Sequence, residues 1–233
     1  MAKILALDTS TDACSVALSL DGEIHEDFRV IPRQHTKELL PMIDALLKAS
    51  SITVNDLDAI AFGRGPGSFA GIRIATGVAQ GLAFGAGIAL LPVSTLAALA
   101  LAQHSKGYPQ VVSVLDARMN EVYWGAYQEV DGLPQLIGEE RVDAPANVRL
   151  PHAKSLADAS SWLGAGSGWC YKEDMSSELT DAVTQIEKDV YPSAADMVRI
   201  AVADWKQGKA VAPEEALPVY LRDDVAWKKK DQQ

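Results

Sequence analysis

The sequence is poor in the residues that most often carry stand-alone chemistry, with four histidines and two cysteines in 233 residues. His25, His35, His104 and His152 form no HxxxH or HExxH pattern and no close Cys/His cluster. The local signatures of a zinc centre are therefore missing. Cys14 and Cys170 lie far apart without CxxC spacing, the pattern of free thiols in a reducing cytosol. No GxSxG surrounds a serine, and His35, beside Thr36 and Glu38, reads as a helix-start residue rather than a base. No catalytic residue is expected from these patterns.

Positive charge is also scarce. Lys and Arg total 21 against 31 Asp and Glu, giving a net charge of −10. That excludes an extended basic surface, and with it tight autonomous binding of RNA or DNA. The apolar run after Met1 is interrupted by Asp8, so no signal-peptide core is expected. From Ile74 to Ser105 there is no Asp, Glu, Lys or Arg, long enough to raise the question of a membrane span. Gly81, Gly85, Gly87 and Pro92 punctuate this stretch, which instead predicts helix, strand and helix buried in a soluble, cytoplasmic fold.

What is present is regular. ILALD (4–8), CSVALSL (14–20) and EIHEDFRV (23–30) read as strands, the last two joined by the hairpin signal Asp21-Gly22. Residues 35–49 place Leu39, Met42, Ile43, Leu46 and Leu47 at helical spacing, with Pro41 expected to kink the helix or fall in its first turn. A strand at 58–63, a helix from the N-cap Ser68 to about Phe84, a strand at 88–93 and a further helix complete the first hundred residues. The order indicates an α/β fold with a mixed sheet flanked by helices.

The pattern then repeats. VSVLD at 112–116 ends in aspartate as ILALD does, and EVYWGAYQEV leads to Asp131-Gly132 as CSVALSL leads to Asp21-Gly22. Offsets of 108 and 110 residues predict two copies of one sheet-centred lobe, divided as 1–106 and 107–233. The second half is less regular. Residues 195–207 form an amphipathic helix ended by Gly208, and the charged tail from Arg222 reads as a solvated helix end or frayed terminus.

The segment GRGPGSFAGIRIATG (63–77) has five glycines, yet no lysine follows them and neither GxxxxGK[ST] nor GxGxxG occurs. As a phosphate cradle it is weak. Gly77, Gly81 and Gly85 continue at four-residue intervals through the helix. Each costs about 1 kcal/mol relative to alanine, so a close contact should compensate. Two readings stand: packing within the fold, or a face left for another chain. The only polar strip on this helix is Arg73, Thr76 and Gln80.

Asp8 and Asp116 each end a first strand, where actin-like ATPases hold magnesium and phosphate between two lobes. Asp8 with Ser10 fits such a turn, whereas the turn after Asp116 lacks glycine. Gly164 and Gly166 could form an adenosine-side turn. The alternative for Asp8 is a turn-capping side chain. An ATPase or small-molecule kinase using this cleft, and a metallopeptidase, are the competing functions.

ILALDTSTDACSVAL, HTKELLPMIDALL, GRGPGSFAGIRIATGVAQGLA, LLPVSTLAALA, DARMNEVYWGAY and PVYLRDDVA occur in this order over nearly the whole chain. Together they resemble the bacterial TsaB family, also called YeaZ, which commonly has threonine in place of Ala70. The resemblance implies a duplicated RNase H-like, actin-like (ASKHA) fold and a role in placing a threonylcarbamoyl group on N6 of an adenosine in tRNAs reading ANN codons. In that family TsaB is a non-catalytic subunit. It works with its metal-binding paralogue TsaD, which transfers the group, and with the ATPase TsaE, while a TsaC-type enzyme supplies threonylcarbamoyl-adenylate. The paralogue's VHHxEGH metal ligands align with Thr95 and Leu99, so the resemblance implies no metal on this chain. ATP or ADP and the metal would belong to the partners, and contact with tRNA would come mainly through them. The partner contact implied is the pair of helices at about 35–49 and 68–84. It would use Leu39, Leu40, Ile43, Leu47, Phe69, Arg73, Ile74, Gly77, Gln80 and Gly81, with a homodimer through the same surface when the chain is alone.

Overall fold

Ile4–Asp8 (β1) is apolar at every position but the last, and it becomes the central strand of a five-stranded sheet. The computed structural model describes residues 2–150 and 162–222. On one side β1 pairs antiparallel with Ala13–Leu20 (β2), which pairs with Glu23–Val30 (β3). On the other side it runs parallel to Ala59–Gly65 (β4), followed by Ala89–Ser94 (β5). The order is β3-β2-β1-β4-β5. Asp21 and Gly22 take φ values of 52° and 91°, the left-handed pair that a two-residue hairpin needs.

The second sheet repeats this plan. Gln110–Arg118 (β6) pairs antiparallel with Glu121–Val130 (β7), which carries Leu133–Asp143 (β8). Its other edge runs parallel to Trp162–Ala165 (β9), which pairs with Val183–Glu187 (β10). Read from β8, the order β8-β7-β6-β9-β10 matches the first sheet strand for strand and direction for direction. Asp131 and Gly132 repeat the left-handed turn at φ 52° and 76°. The duplicated RNase H-like architecture is therefore present.

Among the described residues the α-helices are His35–Ala49 (α1), Phe69–Ala86 (α2), Thr95–His104 (α3), Ser177–Ala182 (α4) and Ala194–Lys206 (α5). The charge-free stretch resolves into α2, β5 and α3, and no helix among the described residues is long and apolar enough to cross a membrane. Leu39, Met42, Ile43 and Leu47 of α1 pack with Ala75, Ala79 and Ala83 of α2 over Leu5, Leu7, Val16 and Phe62. Each such fully buried aliphatic or aromatic side chain contributes roughly 1.5–3 kcal/mol relative to exposure. Pro41 lies inside α1 rather than in its first turn. It is exposed there, and its missing amide costs a backbone bond at the solvent side only.

The first sheet is built from strands within residues 4–94 and the second from strands within 110–187, while the helices cross between them. α5, expected within the second lobe, packs against the opposite face of the first sheet, with Met197 and Val198 against Ile4, Ala6 and Ala61. Its first amides are bound from that sheet: Ala194 N donates to Ser15 Oγ at 2.9 Å, and Ala195 N to the Glu26 carboxylate at 2.9 Å. α3 places Leu96 and Leu99 on the second sheet, against Val111 and Leu163, and also touches α5. The lobes thus exchange helices, because the first sheet needs a cover on both faces and α1 and α2 pack on one face only. The tail expected to fray lies outside the described residues, except for Arg222.

Candidate functional site

The glycines of the 63–77 segment divide into two groups. Those before α2 and in its first turn admit other parts of the chain. Ser10 O accepts from Ser68 N at 2.7 Å, and Thr9 Oγ1 donates to Gly71 O at 2.6 Å. The β1–β2 turn is thereby clamped onto the start of α2. A Cβ on Gly71 would run into the Thr9 carbonyl, and one on Gly67 would sit 2.5 Å from the Ser10 carbonyl. A Cβ on Gly63 would collide with Asp8 Oδ1. These glycines serve close internal packing. The N-cap hydroxyl of Ser68 accepts from Gly71 N at 3.4 Å.

Asp8 is fully buried. Its Oδ2 accepts from Ser10 N at 3.2 Å and from Ser10 Oγ at 2.9 Å, while Oδ1 has no donor among the described residues. Burial raises its carboxyl from 3.8 to about 7, against the smaller opposing effect of those hydrogen bonds. This is the turn-capping arrangement.

A cleft of about 910 Å³ opens between the β1–β2 turn, the start of α2 and the β6–β7 turn. Ser10 and Asp116 line it, with Arg33, Arg118 and Arg222. Asp8, Gly164 and Gly166 are not among its lining residues. The Asp116 carboxylate is already engaged, accepting from Arg118 N at 2.8 Å and Arg118 Nη1 at 2.9 Å. A Cβ at Gly164 would overlap the Trp169 indole, and one at Gly166 (φ 105°) would press on the Val114 carbonyl. The adenosine-side reading of these two glycines is thus corrected: they accommodate core packing of the second lobe.

Thr95 and Leu99 are both fully buried, Leu99 among the apolar side chains under the second sheet. The described histidines sit on separate elements: His25 on β3, His35 at the start of α1 and His104 at the end of α3. His152 lies outside the described residues. Both cysteines are free.

The second group of glycines is different. Among the described residues, nothing lies within 4 Å of a Cβ built on Gly77, Gly81 or Gly85. On α2, alanines at 75, 79 and 83 face the sheet while these glycines face outward. Beside them, Phe69 is 57% exposed, Phe84 79% and, on α1, Leu40 51%. Five expected surface residues fall elsewhere. Leu39, Ile43 and Leu47 are core residues at 1%, 2% and 5% exposure, because the apolar stripe that defines α1 is the stripe that covers its own sheet. Gln80 turns to the chain itself, its amide donating to Pro213 O and Ala216 O, both at 3.0 Å. Ile74 is half-buried against the core. Phe84 is missing from the expected surface, although its place three positions after Gly81 and next to Gly85 is a signal that could have found it.

Two further arrangements have no local sequence signal. The segment 211–222 returns along the first lobe: Val211 bridges Leu90, Val219 N donates to Arg64 O at 2.8 Å, and Arg73 Nε donates to the Tyr220 hydroxyl at 2.8 Å. Between the lobes, Glu140 of β8 accepts from the hydroxyls of Ser94 and Tyr127 and pairs with Arg64 at 3.5 Å.

Comparison with known proteins agrees with this architecture. The profile of a family described as TsaD, tRNA N6-adenosine threonylcarbamoyltransferase, matches residues 24–230. The chain is 43% identical over 229 residues to the tRNA threonylcarbamoyladenosine biosynthesis protein TsaB of Escherichia coli, covering 97% of each. It is 38% identical to the protein of the same name from Haemophilus influenzae, covering 97% of this chain and 96% of that one. The crystal structure of YeaZ from Pseudomonas aeruginosa superposes with a TM-score of 0.88 at 46% identity, over 95% of this chain and all of that one. The sheet order, the doubled lobe and these matches lead to one conclusion: the chain belongs to the TsaB (YeaZ) family.

Proposed function

We infer that this chain is a non-catalytic subunit of tRNA threonylcarbamoyladenosine synthesis, docking through α1 and α2 on a TsaD-type transferase and acting with a TsaE-type ATPase. The observation that carries this reading is the open glycine stripe. Gly77, Gly81 and Gly85 cost α2 about 1 kcal/mol each, and nothing among the described residues approaches them. A smooth face bordered by exposed Phe69, Phe84 and Leu40 suits another helix pair laid against it. The surface refined in this way is Leu40, Phe69, Arg73, Gly77, Gly81 and Phe84. In the absence of the transferase, the same face supports a homodimer.

Nucleotide and metal are assigned to the partner proteins, and tRNA contact mainly to them as well, in keeping with the net charge of −10. A cytoplasmic location follows from that role. The ATPase alternative is disfavoured by an Asp8 sealed beneath its turn and an Asp116 already paired with Arg118.

The test is reconstitution from TsaD-type and TsaE-type partners, threonylcarbamoyl-adenylate, ATP and tRNA. Modified adenosine is expected only when this chain is added. Full activity in its absence would overturn the reading.

A further inference from the structure

The C-terminal segment reaches both lobes. Within the first lobe it lies along α2, where Gln80 binds the carbonyls of Pro213 and Ala216, and Ala216 itself is buried in the core. Further on, Val219 O lies against Gly65, where a Cβ would stand 3.1 Å from it. The Tyr220 ring sits 5.9 Å from the Phe69 ring, with the Arg73 guanidinium 3.5 Å over Phe69 and 5.4 Å from Tyr220. Two residues later the segment has reached the second lobe. Arg222 Nη2 donates to Ala117 O at 3.1 Å and to the Glu121 carboxylate, with Arg118 O at 3.5 Å.

That second anchor is an unusual turn. Arg118, Met119 and Asn120 hold φ values of 62°, 58° and 59° in succession. A run of non-glycine residues in the left-handed region is unfavourable for L-amino acids and persists where surrounding contacts over-determine it. Here the contacts are those of Arg222 with the turn's carbonyls and of Asp116 with the Arg118 amide and guanidinium. Arg222 also lines the interlobe cleft. The segment therefore bridges two walls of the cleft, with one end in the side-chain stack of α2 and the other on the β6–β7 turn.

We propose that residues 217–222 are a strap that fixes the angle between the lobes, and that engagement of Phe69 and Arg73 on α2 by a partner releases it and opens the cleft. The coupling rests on the docking face proposed above; the mechanical role of the strap does not. Arg73 serves both ends of the device. It belongs to the exposed face, and it holds Tyr220 through its Nε. A partner that takes this guanidinium into a new ion pair or aromatic contact withdraws it from Tyr220. The hold on Arg222, two residues on, is then left to Arg222's own hydrogen bonds.

The test measures the distance between spin labels at Glu23 on β3 and Glu139 on β8, both exposed, with Cys170 replaced by serine. The full chain is expected to give one narrow distribution. Arg222→Ala and Arg73→Ala are each expected to broaden it and shift its mean, with circular dichroism unchanged. Distributions identical to that of the parent in both variants would overturn the strap. In a second arm, a purified TsaD-type partner is added. The parent distribution is expected to move towards that of Arg222→Ala, while Arg222→Ala itself binds the partner and moves no further. Equal shifts in both proteins would overturn the coupling. No binding to the parent chain would overturn the docking reading and the coupling with it, while a widened Arg222→Ala distribution would still uphold the strap.

Discussion

Arg73 Nε donates to the Tyr220 hydroxyl at 2.8 Å, joining residues 147 positions apart in sequence. The same guanidinium stacks 3.5 Å above Phe69. At an exposed site such a cation–π contact is worth about 0.5–1 kcal/mol, comparable with an ordinary hydrogen bond. One side chain thus ties the open face of α2 to the C-terminal segment.

The two groups of glycines should respond oppositely to alanine. Gly81→Ala is expected to stabilise the isolated chain by about 0.5–1 kcal/mol, since the helix gains propensity and the added methyl meets nothing. Gly71→Ala is expected to destabilise it by about 1–3 kcal/mol through collision with the Thr9 carbonyl. Denaturant midpoints of the two variants decide the matter, and shifts in the same direction would count against the assignment.

Bulk on the open stripe should act on association alone. Gly81→Leu and Phe84→Glu are expected to keep the parent melting temperature within a few degrees and to weaken binding of a TsaD-type partner at least about tenfold, equivalent to 1.4 kcal/mol. Calorimetric titration gives the number. Parent-like affinity in both variants would move the docking surface elsewhere on the chain.

Asp8 gives a pH dependence of definite sign. Its carboxyl lies at about 7 in the fold against an ordinary 3.8. Between those values the folded chain keeps a proton that the unfolded chain has released. Asp8's contribution is therefore fully present below pH 4, is lost as pH rises to 7, and is constant above that. Asp8→Asn removes the titration. Relative to the parent, the variant should gain stability steadily from pH 4 to pH 7, by at most about 4 kcal/mol at 1.36 kcal/mol per unit. Parallel stability profiles across this range would show that Asp8 ionises normally.

The buried interlobe carboxylate should matter more than any surface ion pair. Glu140→Ala leaves the hydroxyls of Ser94 and Tyr127 and the Arg64 guanidinium without their acceptor. A loss of about 3–5 kcal/mol is expected for breaking such an arrangement from one side. Tyr127→Phe, which removes one donor only, should cost about 0.5–1.5 kcal/mol. Equilibrium unfolding that ranks the two variants the other way would deny Glu140 its central place.

Much of the fold was legible because its signals are local. The short strand-like runs in residues 4–30, the Asp-Gly turns at 21–22 and 131–132, and the helical spacing of residues 35–49 each need only neighbouring residues to be read. The site was legible in part. Glycines at 77, 81 and 85 announce a smooth helix face, and they lie on one. Helical periodicity does not separate Leu39, Ile43 and Leu47 of the core from the partner surface that the resemblance implies, since an apolar stripe looks alike whether it meets its own sheet or another chain. Gln80 was taken as part of an exposed polar strip because its acceptors, the carbonyls of Pro213 and Ala216, lie more than 130 residues away.

The sequence by itself determined the two strand sets, their tight turns and the helices that follow, since hydrophobic period and turn chemistry act over a few residues. Tertiary structure alone decided that α5 crosses to the first sheet, that Asp8 is sealed beneath its own turn, and that Arg222 reaches the β6–β7 turn. Those outcomes depend on which surfaces remain uncovered once the sheets have formed, a three-dimensional remainder that no local spacing encodes.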